Sequence, residues 1–438
     1  MTTRAASRWK WCALSLSLVL AATLFCGGTA LAEDEAKANV QAAPVDDNTE
    51  DASEADGDAP RRKLIRWNEY EGPYFTARLG GGLLFDAVDF AQDRKSEEQV
   101  DWDPDVKLRD FRLLLKGRIK LIPRLSYTIG YMYDATEKSW RFRQTGLQFE
   151  IPELWGRLFV GRTKEGISMN KIMVGYQGWT MERATANDAF VPVLADGVKW
   201  MGNTPGSSFL WNVGFFGDRF SEKETFNRFD MQAVVRGVWL PLPEDAPNAE
   251  LVHLGLGYRW AKANDGFFQF KSKPESFPAQ SSAIDTGKFA ADHSNLFAPE
   301  VYYRFRSLVL GFEYFLHQVS SKETGDPFFH GGEILAAYLL TGEVRPYNRK
   351  GGFFERISPL RPVFSGGWGA WEVVARFSYT NLDDAQIHGG KFWRFTPMLN
   401  WYLTDNVRLE FSYGYGELDR FGTTGGTQFF GSRIQFQL

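Results

Sequence analysis

The sequence predicts an all-β chain, a transmembrane antiparallel β-barrel of about 16 strands. Strand-length segments alternate in character. Within 406–416, Val407, Leu409, Phe411, Tyr413 and Tyr415 share one face, and Arg408, Glu410, Ser412, Gly414 and Gly416 share the other. Neither amphipathic helices nor continuously apolar strands are present to cover so many aromatic faces, so those faces point to lipid and the polar faces line a lumen. Beyond the N-terminal leader, no segment is apolar for the roughly 20 residues that a membrane-spanning helix needs.

The alternation recurs along the chain. Leu125, Tyr127, Ile129, Tyr131 and Tyr133 oppose Ser126, Thr128, Gly130 and Asp134, while Val252, Leu254, Leu256, Tyr258 and Trp260 oppose His253, Gly255, Gly257 and Arg259.

In chain order, residues 1–32 read as a secretory signal peptide. Arg4, Arg8 and Lys10 precede an apolar stretch from Trp11 to Gly27, and Ala30-Leu31-Ala32 supplies small residues for cleavage before Glu33. A lipoprotein signal ending at Cys26 is the rival, disfavoured by bulky Phe25. Cys12 and Cys26 both lie in this leader, so the mature chain has no thiol for disulfides, catalysis or metal binding.

Residues 33–62 are expected to be a disordered periplasmic arm, because Lys37 stands against ten acids in 33–60 and almost nothing there can enter a core. Without the leader's three cations and the arm's excess of nine acids, the net charge of −4 becomes +2 for residues 61–438. The barrel domain, 63–438, is therefore not acidic.

Its strands are expected near 74–86, 106–120, 124–134, 139–149, 157–163, 194–201, 208–217, 229–240, 251–262, 299–306, 308–320, 331–342, 368–381, 391–404, 406–416 and 427–438. Tight connections at Ile122-Pro123, Arg306-Ser307 and Thr404-Asp405 fit the periplasmic side, and the long polar segments 87–105 and 263–298 fit the outside. The long connection 343–367 falls on the periplasmic side and breaks this rule. The last strand ends on Leu438 with Ile434 and Phe436 on the same face, which suits recognition by barrel-assembly machinery.

On the polar face lie Arg78, Arg112, Lys116, Arg118, Lys120, Arg141, Arg143, Arg236, Arg259, Arg304, Arg306, Arg376, Arg394 and Arg433. Acids of the same parity are Asp86, Asp134, Asp230, Glu313, Glu372 and Glu410. Such an excess in a low-dielectric wall concentrates anions. The alternative is a wall of arginines paired against acids on an inward loop. Between the fifth and sixth strands, 163–192 is too long for a turn and carries Lys164, Lys171 and Arg183. Folded inward, they would approach the basic wall; left outside, they would only be solvated.

Catalysis is not expected. The five histidines, His253, His293, His317, His330 and His388, are scattered, and only His253 and His317 fall on strand-interior polar positions. No two have metal-ligand spacing. Nothing suggests a cofactor, a nucleotide-binding loop or nucleic-acid recognition. A structural or adhesive barrel is the remaining rival to a channel.

Specific strings go further than periodicity. Leu340-Thr-Gly-Glu343-Val-Arg345-Pro-Tyr347, Gly367-Trp-Gly-Ala-Trp-Glu372 with Arg376 and Tyr379, Val160-Gly-Arg-Thr-Lys164, Met181-Glu-Arg183 to Ala189-Phe-Val-Pro192, and Trp401-Tyr-Leu-Thr-Asp-Asn-Val-Arg408 together resemble the phosphate-selective porin O and P family. The resemblance spans nearly the whole barrel. It implies a 16-stranded homotrimeric porin of the outer membrane with an inward third loop and a cationic path for phosphate or polyphosphate. Where that family has a basic pair before its second strand, this chain reads Leu108-Arg109-Asp110-Phe111-Arg112. The expected ion pathway comprises Lys164, Lys171, Arg183, Arg112, Lys116, Arg118, Arg141 and Arg143; the expected partners are outer-membrane lipid and small anions.

Overall fold

The structure is a computed structural model that describes residues 67–134, 138–217 and 229–438. The expected signal peptide and acidic arm lie outside the described residues. So does the side chain of Asp134.

Sixteen antiparallel strands form one closed barrel. They are β1 (Thr76–Gln92), β2 (Asp105–Arg118), β3 (Leu125–Asp134), β4 (Ser139–Ile151), β5 (Gly156–Thr163), β6 (Ala195–Asn203), β7 (Phe209–Gly217) and β8 (Phe229–Trp239). The second half is β9 (Leu251–Ala263), β10 (His293–Phe305), β11 (Leu308–Ser320), β12 (Phe328–Leu339), β13 (Ala370–Asp384), β14 (Ile387–Tyr402), β15 (Val407–Arg420) and β16 (Thr423–Gln437). Each strand pairs with its sequence neighbour. Closure comes from β16, which pairs with β15 on one side and with β1 on the other, from Gly82↔Gln437 to Gln92↔Thr427. The three-residue strand Glu69–Glu71 adds antiparallel to the start of β1. Helices are short: α1 (Arg94–Gln99), α2 (Met169–Ile172) and α3 (Thr185–Phe190).

The two faces are as the alternation predicts. On β11, Leu310, Phe312 and Leu316 are exposed while Val309, Glu313 and His317 are buried. On β15, Tyr413 and Tyr415 are exposed and Arg408, Glu410 and Ser412 are buried. Exposed apolar side chains in a continuous band are a stable arrangement only against lipid.

Several strands run further than expected: β1 to Gln92, β10 from His293 and β16 from Thr423. Pro299 and Pro397 disguise strand interior as strand end. Each lies on the outer face, where the missing N–H interrupts one ladder only, so the β10–β11 register passes from Phe297↔Leu316 directly to Glu300↔Glu313.

The polar-face tally changes accordingly. Arg306 leaves the wall: it occupies the turn after β10 with φ +51° and donates to the Asn248 side chain. Asp230 pairs with Lys262 at 2.9 Å beside a register irregularity. Glu300 and Glu333, absent from the parity count, face the lumen and are buried.

Three connections are not loops in solvent. Segment 164–194, the connection expected to be external at 263–298, and the long one expected at 343–367 all pack against the inner wall. From the second, Glu275 reaches Arg394 at 3.0 Å and Phe270 meets His317 at 4.7 Å between ring centroids. From the third, Tyr347 lies 2.6 Å from His253 and Phe354 packs on Trp179. Two apolar clusters result inside the barrel: Phe190, Phe270, Phe315 and Phe329 in one, Met169, Trp179, Tyr302 and Phe354 in the other. The long connections are rich in Phe and Pro because they have a core of their own to fill.

Candidate functional site: a constriction built by the inward loop

Segment 164–194 crosses the lumen and is held along the wall of β9–β16 by its own backbone. Its carbonyls accept from Gln435 (to Tyr176, 2.9 Å), Arg345 (to Gln177, 2.9 Å), Arg408 (to Gly178, 2.8 Å), Asn400 (to Trp179, 2.9 Å), Arg376 (to Glu182, 2.8 Å) and Arg259 (to Phe190, 2.7 Å). Buried carbonyls need donors, and side chains of the wall, with Arg345 from the connection 340–369, supply them. The wall permits this closeness where it lacks side chains. A Cβ on Gly257 would lie 2.1 Å from the Ile167 carbonyl oxygen, a backbone atom. Gly257→Ala should therefore push the loop off the wall, at a cost of about 1–3 kcal/mol, and raise single-channel conductance; an unchanged conductance would mean that the loop does not limit the pore.

Most wall arginines are consumed in this packing. Arg236 pairs with Glu300 at 2.6 Å, Arg259 with Glu165 at 3.0 Å, Arg345 with Glu372 at 2.7 Å, and Arg433 with both Asp86 (2.6 Å) and Glu182 (2.7 Å). Arg376 and Arg394 share Glu275. The cation excess counted on this sector is structural, balanced by acids on the wall and on inward segments.

The wall of β2–β4 differs. Asp110 and Met132 are buried there, but Arg112, Arg141 and Arg143 are partly exposed and Lys116 and Arg118 are exposed. A bulge re-aims β2: Leu84 faces Asp110 and Phe85 faces Leu108, leaving Arg109 unopposed. Arg109 and Asp110 thus both turn inward. Arg109 forks onto Glu182 with contacts of 2.6 and 3.0 Å, Asp110 binds Arg112, and Arg112 sits 4.6 Å over the Tyr176 ring. A second irregularity, between Ile129↔Thr145 and Tyr131↔Phe142, falls at Arg143, which donates to the Met132 sulfur at 2.8 Å.

Against this wall the loop presents its cations. Lys164 donates to the carbonyls of Ile172 (3.3 Å) and Met173 (2.5 Å), and Arg183 to those of Asn170 (2.7 Å) and Met173 (3.1 Å). Lys164 and Arg183 thereby converge on one oxygen. Among the described residues, no carboxylate lies within ion-pair distance of Lys164, Arg183 or Arg143. Burial, then the fields of Arg183, Arg143, Arg112 and Lys171, hold the Lys164 ammonium well below the ordinary lysine range. These five predicted residues share one electrostatic environment. Lys171 is buried, 3.7 Å from Asp188, and so is largely balanced. Lys116, Arg118 and Arg141 lie along the barrel wall outside this cluster; Lys116 is the register partner of Arg78 near the short N-terminal strand.

Sequence reasoning missed Arg109, Tyr176 and Glu182. Glu182 decides how many cations remain unbalanced: burial pushes its carboxyl up, but Arg109 and Arg433 outweigh burial and bring it down to about 2. The folded-state value is depressed, so its contribution to stability is present at neutral pH and is lost as pH falls toward 2. Glu182→Gln should release Arg109 and leave Arg433 with Asp86 alone, raising anion preference in reversal-potential measurements and lowering resistance to unfolding most clearly at neutral pH. An unaltered preference would show that Arg109 and Arg433 do not face the ion path.

A family model described as phosphate-selective porin O and P matches residues 79–438. The chain belongs to that family. Curated relatives include an uncharacterized protein of Caulobacter vibrioides, 31% identical over 40% of this chain and 35% of that protein, and Porin O of Pseudomonas aeruginosa, 23% identical over 44% of this chain and 49% of that protein. The matched region thus spans between about a third and half of either relative's length. Among solved structures, an anion-selective porin from Comamonas acidovorans superposes with a TM-score of 0.53 at 14% identity, covering 83% of this chain and 100% of that one. The outer-membrane channel DcaP of Acinetobacter baumannii gives 0.53 at 9% identity, over 84% and 99%. The family is one of outer-membrane porins, whose barrels cross the membrane in many passes. In porin terms the inward segment is the third loop, and it carries Lys164 and Arg183.

Proposed function

We propose that this porin passes small hydrophilic solutes by diffusion and favours anions of the phosphate class. The supporting observation is the set Lys164, Arg183 and Arg143, three cations with no carboxylate at ion-pair distance among the described residues, at the partly dry constriction. A guanidinium fork matches the paired oxygens of an oxyanion, and a low-dielectric surround strengthens each fixed charge relative to water. Reversal potentials in a potassium chloride gradient, repeated with potassium phosphate, test this reading; cation preference in both overturns it. A general porin without phosphate preference is the second reading, favoured by the pairing of Arg112 with Asp110 and of Arg109 with Glu182. Phosphate that fails to block chloride current would select it.

The chain acts as a homotrimer on this reading, consistent with a neighbour described as the trimer form of OmpT of Vibrio cholerae, which matches with a TM-score of 0.51 at 12% identity. Export proceeds through cleavage after Ala32, leaving the acidic arm in the periplasm, and the C-terminal strand is the part read by assembly machinery. Mass spectrometry of the membrane-extracted protein should place its first residue at Glu33; a lipid on Cys26 would refute this.

A further inference from the structure

We propose that Glu300, Glu313 and Glu333 form a latch, held by a proton on Glu313, that seats the third loop and so positions the filter cations, an inference that rests on reading this constriction as the filter.

Three strands bring these carboxylates to one height. Glu300 of β10 is the register partner of Glu313 on β11, and Glu313 is the partner of Glu333 on β12. All three point inward and are at most 5% exposed. Like charges directly opposite on neighbouring strands repel, and carboxylates crowded in a dry site do not all ionise. The outer two have cations, Arg236 at 2.6 Å on Glu300 and Arg376 at 3.5 Å on Glu333, and the His253 ring also lies 2.9 Å from Glu300. Among the described residues, Glu313 has none. Its Oε1 accepts from the Asn170 backbone N–H (2.7 Å) and the Tyr302 hydroxyl (2.9 Å), while its Oε2 is buried without a partner. A lone anionic oxygen there is costlier than a neutral one, so the row holds a proton and that proton resides on Glu313.

The remaining charged or titratable groups around the row are Arg183 from the loop, Glu275 and Arg394 beside Arg376, and Tyr347 beside His253. None of them hydrogen-bonds to Glu313.

Two consecutive loop residues engage the whole row. The Met169 N–H donates to Glu300 at 2.6 Å, the Asn170 N–H to Glu313, and the Asn170 side-chain amide to Glu333. Carbonyls of the same turn, those of Asn170, Ile172 and Met173, receive Arg183 and Lys164. The path from latch to filter is thus one helical turn of backbone. Loss of the proton places three adjacent negative charges beneath that turn. The seat loosens, the filter cations disperse, conductance rises and anion preference falls.

The full-length porin in lipid vesicles, grown with 13C-labelled glutamate, should show the infrared absorption of a protonated glutamate at neutral pH, diminishing in alkali. Glu313→Gln should remove part of that band while preserving the loop seat. Channel recordings in a Lys164→Gln background, which eliminates that lysine's own titration, should show conductance rising and anion preference falling with alkali, and Glu313→Gln should abolish both changes. Absence of a protonated glutamate in the unaltered protein overturns the latch even if the variant does not assemble. So does a band or an alkaline transition unaffected by Glu313→Gln. A porin without anion preference that still loses this band with Glu313→Gln would refute the filter reading and leave the latch standing.

Discussion

Replacing Arg345 with methionine should cost the folded barrel about 3–5 kcal/mol, because it leaves the Glu372 carboxylate buried without its counter-charge. Arg345 is 1% exposed and sends one guanidinium nitrogen to Glu372 at 2.7 and 2.9 Å and to the Tyr402 hydroxyl at 3.0 Å. Another reaches the carbonyls of Gln177 and Glu355, and the whole group lies 5.1 Å over the Trp179 ring. A single side chain thus joins the inner wall, the third loop and the connection 340–369. The variant should lose heat resistance by circular dichroism, and its loop should become accessible to protease. Arg345→Met combined with Glu372→Gln should recover much of the loss, since the stranded charge is then gone. If the double variant is no more stable than the single one, packing on Trp179 and the carbonyl contacts carry the effect instead.

Neutralising the two unbalanced loop cations, Lys164→Gln with Arg183→Gln, should remove most of the anion preference. Each fixed charge a few ångströms from the ion path contributes on the order of 1 kcal/mol or more at an intermediate effective dielectric, which is several-fold in a permeability ratio. Lys171→Gln should do much less, because Asp188 at 3.7 Å already offsets that ammonium. The wild-type preference should also decline with rising pH at values well below those of an ordinary lysine, as Lys164 loses its proton. A double variant with unchanged reversal potential would move the filter to Arg112 and Arg143 on the wall.

The wall was legible in the sequence because alternation reports a lipid face and a lumen face directly. Each of the sixteen strands lies where that alternation places one, and Tyr413, Phe312 and Leu256 face outward as expected. Parity arguments fail where a strand bulges: Arg109 has the wrong parity for the lumen, and only the extra residue opposite Leu84/Phe85 turns it inward. Glu300 shares its parity with Arg304, but Pro299 looks like a strand terminus and so hides the acid beside it. The occupants of the lumen were the least legible part. Nothing local in Glu182 or Glu275 reveals that each will meet two arginines more than fifty residues away, because such pairings are created by closure. The segments 264–292 and 340–369 read as loops because their cores lie inside another element.

The seam between β1 and β16 has a consequence for how the molecule is made. Residues 82–92 find their second neighbour in 427–437, so the most distant parts of the chain must meet before every strand has two neighbours. Until then β1 presents an unpaired edge, open to any other strand it encounters. Pairing of such high sequence separation is intrinsically slow. A chain lacking its last strand should therefore leave a reactive margin as well as a smaller channel, one that an escort protein must shield or a protease remove.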